Sequence, residues 1–452
     1  MSLKFTDWVS LKFYINNKSK RAYVINEKTC ELFMFEDITA ELLNKLYIND
    51  EKSLLDFIKE NEIENEIDEF VSLLISLGVM SDSSSINDLK QDETIKNITS
   101  KTESTEALNE MTNWVASNGY LPGLFIELTY NCNLKCIHCF NDKNDIRTEI
   151  TFESIKNVID EESKLGAYKV TLSGGESTIA KDFLKIAKYI REKKMQLIIY
   201  TNGQTLTDDK FFNEVLNLYP HRIDISLYSM NPDIHDKITG VKGSFDKTLQ
   251  TILKLKKNNI NTLIKCFICN LNANSYKSVV KFAKENEISY AVDDIFLDNK
   301  NRNNSSIQIT EEQLLEIYTD KESDFYIKKE VNRGKNKCAN DSICKAGLFL
   351  LSVAPNLDVY PCTSFKFKLG NLKEESLTEI FKCHNEKSKL KYFRELKIKD
   401  LKDCYKEEYC KFCTYCPSRP TIEGNFLGKS DVLCKIAKIK MKADKIADEK
   451  NI

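Results

Sequence analysis

No charge of one sign dominates this chain. Its 452 residues carry 66 Lys+Arg against 68 Asp+Glu, a formal net charge of -2. That balance argues against a polybasic nucleic-acid binder, which gains affinity by neutralising phosphates. Only a local basic groove stays open. No apolar run approaches the ~20 residues of a membrane span. The opening Met1-Ser2-Leu3-Lys4-Phe5 lacks the charged head, apolar stretch and cleavage site of a signal peptide. The expectation is a cytoplasmic protein with neither nucleic acid nor membrane as partner. Cysteine is missing between Cys30 and Cys132. Beyond that gap it is abundant and clustered: Cys132, Cys136 and Cys139, then Cys266 and Cys269, then nine from Cys338 onward, 15 in all. In a cytosolic chain such clusters favour metal binding over disulfides.

At about 100–200 residues per domain, the length suggests two to four domains. Residues 1–80 read as a small α+β module. Leu11 to Ile15 and Arg21 to Ile25 are short strands around a polar turn, and Leu42, Leu54 and Val71 begin apolar helical patterns. A hairpin with short helices looks like a winged helix. Residues 81–118 are polar and read as a linker with one short helix near Met111 to Ala116. Residues 119–300 alternate strand and helix. The strand candidates are Leu124–Tyr130, Tyr168–Ser173, Gln196–Thr201, Arg222–Tyr228, Thr262–Ile268 and Ile288–Ile295. Six β–α units imply a parallel sheet with right-handed crossovers, either a partial barrel or an open doubly wound sheet. Either places chemistry at the C-terminal ends of the strands. Residues 301–337 form a helical bridge. Residues 338–452 hold many cysteines and few long strands, as expected of a core held partly by metal.

Directly after the first strand of the series comes Cys132-Asn133-Leu134-Lys135-Cys136-Ile137-His138-Cys139. Three thiolates can hold three irons of a cubane and leave the fourth open. A zinc site with His138 as fourth ligand is the alternative for this spacing alone. The second strand ends in Ser173-Gly174-Gly175-Glu176, where two glycines let a ligand approach and Glu176 can meet an amine. The third ends in Tyr200-Thr201-Asn202-Gly203 and the fourth in Ile225-Ser226-Leu227-Tyr228-Ser229, followed by His235-Asp236-Lys237-Ile238-Thr239-Gly240 and Gly243-Ser244-Phe245. Four polar strand ends in succession outline one ligand pocket.

Over residues 120–300 this set resembles the radical S-adenosylmethionine (SAM) enzymes. The resemblance implies that Cys132, Cys136 and Cys139 hold a [4Fe-4S] cluster whose open iron is chelated by S-adenosylmethionine. It further implies that Gly174, Gly175 and Glu176 hold the methionyl amine. Ser226 would contact the ribose, with His138 near the adenine and Asn202 lining the same site. Ser177 stands where the family often has proline, and Thr239 where an arginine is common. Cys338, Cys344, Cys362, Cys404, Cys410, Cys413, Cys416 and Cys434 look like the SPASM extension of these enzymes, which carries two auxiliary [4Fe-4S] clusters; zinc knuckles are the alternative. By interleaved order Cys404, Cys410, Cys413 and Cys434 go to an outer cluster. Cys344, Cys362 and Cys416 go to an inner one, with Cys338 as a further ligand. Leu357 replaces a glycine usual five residues before Cys362.

Asp293 and Asp294 end the sixth strand, and alternation turns one of them inward as a candidate proton acceptor. Cys266 and Cys269 are expected in the core. A winged helix ahead of such an enzyme resembles the element by which peptide maturases add a precursor's leader as a strand to a sheet edge. The implied partners are a ribosomal precursor peptide with a leader and a reducing flavodoxin or ferredoxin. The implied product is a thioether or carbon–carbon cross-link. The spacing from Cys404 to Cys413 is similar to that of thioether-forming maturases. Sulfatase-maturing and peptide-epimerising enzymes are alternatives, as is a non-enzymatic metal regulator acting on DNA.

Overall fold

A computed structural model describes residues 3–15, 20–29, 31–82, 101–102, 105–139, 141, 148–293, 307–328, 339–383 and 388–449. Cys30, Asp294 and Cys338 lie outside the described residues. Among the described residues, no helix is long and apolar enough to cross a membrane.

The N-terminal strands are β1 (Leu3–Phe5), β2 (Val9–Ile15), β3 (Lys20–Asn26) and β4 (Glu31–Glu36). Helices α1 (Asp37–Ile48), α2 (Glu51–Glu60) and α3 (Ile67–Ser76) follow, then β5 (Met80–Asp82), which pairs with β1. Strand β4 was not expected. Its Leu-Phe-Met-Phe run is a continuous apolar stretch that periodicity cannot separate from a helix segment. The expected linker contributes β6 (Lys101–Thr102), paired with Glu31 and Leu32 of β4, and a longer helix than foreseen, α4 (Thr105–Ser117).

The central sheet runs through β7 (Gly123–Thr129), β8 (Lys169–Gly174), β9 (Gln196–Thr201), β10 (Arg222–Ser226), β11 (Thr262–Phe267) and β12 (Ser289–Asp293). Between them lie α5 (Phe152–Lys164), α6 (Phe183–Glu192), α7 (Asp209–Leu216), α8 (Pro232–Thr239), α9 (Ser244–Lys257) and α10 (Tyr276–Glu285), and α11 (Glu311–Thr319) follows. The six strands are parallel and neighbour one another in chain order. That order is a partial barrel, since a doubly wound sheet reverses direction at a switch point. Thr151 caps α5, accepting from the Ser154 amide at 3.3 Å, and Asp208 caps α7, accepting from Phe211 at 2.8 Å. Outward-facing Leu124, Ile126, Val170, Leu172, Leu197 and Ile199 bury against the helices in one continuous core. The inward positions Glu127, Ser173, Tyr200, Asp224, Ser226 and Lys265 are polar.

The cysteine-rich region is not a separate unit. Its β13 (Leu351–Val353) pairs in parallel with β7, and β14 (Asp358–Tyr360) and β15 (Gly370–Asn371) continue the same nine-stranded sheet. Leu357 turns between β13 and β14 at φ 69°. This left-handed conformation costs a leucine and suits a glycine. Leucine is kept there by burial, 8% exposed in the barrel core.

The N-terminal module docks at the end of the barrel where the strands begin. The Leu11 amide donates to Lys194 O at 2.8 Å, and Tyr14 Oη to Gly166 O at 2.7 Å. Arg191 Nη1 donates to Ser10 Oγ at 2.6 Å and lies 3.6 Å from Glu27 Oε1, both charged side chains being almost wholly buried.

Candidate active site

Strand ends at the opposite face enclose a cavity of about 480 Å³. Cys132, Cys136 and Cys139 line it together with His138, Gly174, Gly175, Glu176, Asn202 and Ser226. The loop carrying the cysteines is pinned by backbone: Lys135 N donates to Thr239 O and Ile137 N to Ile238 O, each at 2.9 Å. The Leu134 amide donates to Cys132 Sγ at 3.4 Å and Asn202 Nδ2 reaches the same sulfur at 3.7 Å. Such donors suit a thiolate.

The glycines are needed first for the chain itself. Gly174, at φ 134°, would place a Cβ 2.2 Å from Thr129 O, and Gly175 would place one 2.2 Å from Asn131 O. The close approach is to the strand preceding the cysteine loop, so the two segments share one rigid corner. Glu176 is buried and already accepts from Thr178 N and Oγ1, Thr201 Oγ1 and the Asn202 amide, at 2.6–3.2 Å. Its carboxylate ties the ends of β8 and β9 together at the cavity wall. Burial raises its pKa while those donors oppose the rise. Ser177, at the proline position, donates to Tyr200 O at 2.8 Å and reinforces the same junction.

His138 turns Nε2 to the Tyr228 hydroxyl at 3.1 Å and packs 5.0 Å from Phe267, ring to ring. Its other ring nitrogen is buried with no protein partner. Thr239 corrects one expectation. It is buried away from the cavity, with Oγ1 against Ser244 Oγ at 2.6 Å, because it closes α8. Only its carbonyl serves the cysteine loop. Asp293 corrects another. Alternation does set it on the inward side, but β12 is the sheet's edge strand among the described residues, and Asp293 is exposed there and does not line the cavity.

The structure gathers two further cysteine sets. Cys344, Cys362 and Cys416 act on one another electrostatically, and burial pushes the Cys362 thiol up to about 11. Cys404, Cys410, Cys413 and Cys434 line a second cavity with Tyr405, Tyr409 and Tyr415. Among the described residues no three Cys, His, Asp or Glu side chains converge at single-ion range. A zinc site would need sulfurs about 2.3 Å from one point. Sulfurs set around a cavity suit the larger four-iron cube. Cys266 and Cys269 are fully buried core residues. Cys383 lies 3.7 Å from Arg394 Nη1, apart from all three sets.

Residues that the sequence reading missed include Lys265, which reaches Tyr200 Oη at 3.1 Å inside the cavity, and Asp224, paired with Arg222 at 2.6 Å. Charged residues at alternate positions of buried strands were the available signal. His235, which opens the polar stretch after the fourth strand, was given no role. Its Nδ1 accepts the Tyr228 amide at 3.2 Å, and burial lowers its pKa to about 4. The unfolded chain binds the proton more tightly, so stability is lost as pH falls through the window between the two values. In urea unfolding, His235→Gln should lose about 2 kcal/mol less stability than the parent chain between about pH 7 and pH 5. An unchanged slope in that variant would assign the loss elsewhere.

The comparisons with known proteins agree with this geometry. Residues 126–285 match the radical SAM superfamily, and residues 344–417 match the SPASM iron-sulfur cluster-binding domain. The chain is an enzyme that carries a radical SAM domain and a SPASM domain.

It is 27% identical over 321 residues to the AdoMet-dependent heme synthase of Methanosarcina barkeri, covering 65% of this chain and 90% of that protein. It is 26% identical over 312 residues to the subtilosin biosynthesis protein AlbA of Bacillus subtilis, covering 64% of this chain and 65% of AlbA. The fold is similar to that of Streptococcus suis SuiB, with TM-score 0.56 and 16% identity, over 95% of this chain and 99% of SuiB. It is also similar to anSMEcpe, with TM-score 0.53 and 19% identity, over 73% of this chain and all of that one.

Proposed function

We propose that this enzyme is a peptide maturase that installs a cross-link, a thioether in our reading, in a ribosomally made precursor. The observation that carries this is the N-terminal module. The likeness to SuiB, whose structure with its precursor peptide SuiA is known, spans 96% of this chain and so includes the module. The likeness to anSMEcpe covers 73%. Three separable cysteine sets support three [4Fe-4S] clusters, one at Cys132, Cys136 and Cys139. When bound there, a cluster and S-adenosylmethionine would supply the radical that takes hydrogen from a substrate carbon. The protein's part is to seat the cofactor between Glu176, Asn202 and Ser226, to keep water from the site, and to present the peptide. A low-potential flavodoxin or ferredoxin is the proposed reductant.

Presentation falls to β4. Residues Glu31 and Leu32 are paired with β6, while Phe33–Glu36 have no strand on that side among the described residues. A leader adding there would gain main-chain hydrogen bonds. Of two adjacent residues in a strand, one turns its amide to each side. Proline at Met34 or at Phe35 should therefore weaken precursor binding about tenfold at whichever position faces outward, through one lost hydrogen bond. Cofactor cleavage without peptide should be unchanged. Fluorescence anisotropy with a labelled leader is the measurement, and unchanged affinity in both variants sinks the role of β4.

The likeness to the heme synthase favours a second reading, a tetrapyrrole substrate. Incubation of the reconstituted enzyme with short peptides encoded nearby, or with an iron tetrapyrrole, separates the two. Mass spectrometry should show a peptide lighter by two hydrogens. Change in the tetrapyrrole alone would overturn the maturase reading.

A further inference from the structure

We propose that Tyr405 and Tyr415 donate their hydroxyl hydrogens to the sulfurs of the cluster held by Cys404, Cys410, Cys413 and Cys434, and so raise its reduction potential. This rests on the reading above that these four cysteines hold a cluster. Both tyrosine hydroxyl oxygens are fully buried and have no protein hydrogen-bond partner. Both rings line the same cavity as the four sulfurs. A buried hydroxyl without an acceptor is costly, and native structures rarely keep two in one place.

The backbone supports the same aim. Asp403 and Tyr405 flank Cys404 at φ 58° and 61°, a conformation that non-glycine residues adopt only where the surroundings enforce it. This turn delivers the sulfur and the ring of successive residues into one cavity. The thiolates and sulfides of a bound cluster would be acceptors for both hydroxyls. A donor to sulfur stabilises the reduced state, which carries the extra negative charge, so each bond raises the potential.

The test uses the full chain, reconstituted anaerobically, with potentials read by electron paramagnetic resonance. The signal that disappears in the Cys410→Ala/Cys413→Ala double variant, which leaves only two thiolates, along with about four irons, marks the outer cluster. In Tyr405→Phe and Tyr415→Phe its midpoint should fall. The expected change is about tenfold in the reduction equilibrium per hydroxyl, or about 59 mV for a one-electron couple. Iron content and the other two signals should not move. An unchanged midpoint with iron retained overturns the proposal while leaving the cluster assignment standing. If that double variant loses no iron, the cluster assignment itself fails. Should the phenylalanine variants lose the cluster, a ring-fluorinated tyrosine placed at position 415, a stronger donor, should raise the midpoint. No rise would equally overturn it.

Discussion

Alanine at Cys132, Cys136 and Cys139 together should remove about four of about twelve irons per chain and abolish reductive cleavage of S-adenosylmethionine. The loop's shape does not depend on the sulfurs. Backbone bonds from Lys135 and Ile137 to the end of α8 hold it, and the Gly174–Gly175 corner packs beneath its start. The variant is therefore expected to keep its fold and both SPASM sets, so lost cleavage will report the missing cluster and not collapse. Iron analysis, circular dichroism and chromatography of 5′-deoxyadenosine decide it. Retained cleavage would refute the assignment of these three cysteines.

The other large effect is on stability. Arg191→Met should cost about 3–5 kcal/mol, because it removes the guanidinium beside the buried Glu27 carboxylate and leaves it only the Ser10 hydroxyl and His221 Nδ1 at 2.8 Å. Both side chains are nearly inaccessible at the docking face, and the guanidinium also donates to Met195 O at 2.7 Å and Asp7 O at 3.1 Å. Replacing Glu27 as well, by Gln, should recover part of the loss, since the stranded charge is then gone. Denaturant unfolding of the single and double variants is the measurement. A single-variant cost below about 1 kcal/mol would mean that water reaches the pair on loosening. This docking also makes removal of residues 1–80 a disruptive change. It would uncover Arg191 and the Lys194 carbonyl, so point changes on β4 test leader binding more cleanly.

What could be read in advance follows from what each pattern encodes. The strands β7 to β12 were legible because parallel strands covered by helices are short apolar runs between turns, and Gln196–Thr201 was placed to the residue. The division of the later cysteines into two sets came from the interleaved order that the SPASM resemblance implies, since spacing alone would join Cys413 to Cys416. The joining of β13 to β7 was not legible. A three-residue strand carries no period, and its partner lies more than 220 residues away in sequence. Asp293 was misjudged because alternation gives the face of a strand but not whether that strand is the last of its sheet. Thr239 followed a family position whose side chain here serves the helix it ends. Tyr405 and Tyr415 interleave with the cysteines of their set, a visible signal that a search confined to metal-ligand types passes over.

The module and the cavity sit at opposite ends of the barrel strands, and that separation acts as a ruler. A six-residue strand such as β9 spans about 20 Å. A peptide held on β4 must cover at least that height before any of its residues can enter the cavity, which takes about six residues fully extended. Residues nearer the anchor stay out of reach whatever their chemistry. Residues farther along are reached at an entropic cost that grows only with the logarithm of the tether. The enzyme would thus select its target first by distance along the chain and only then by side chain.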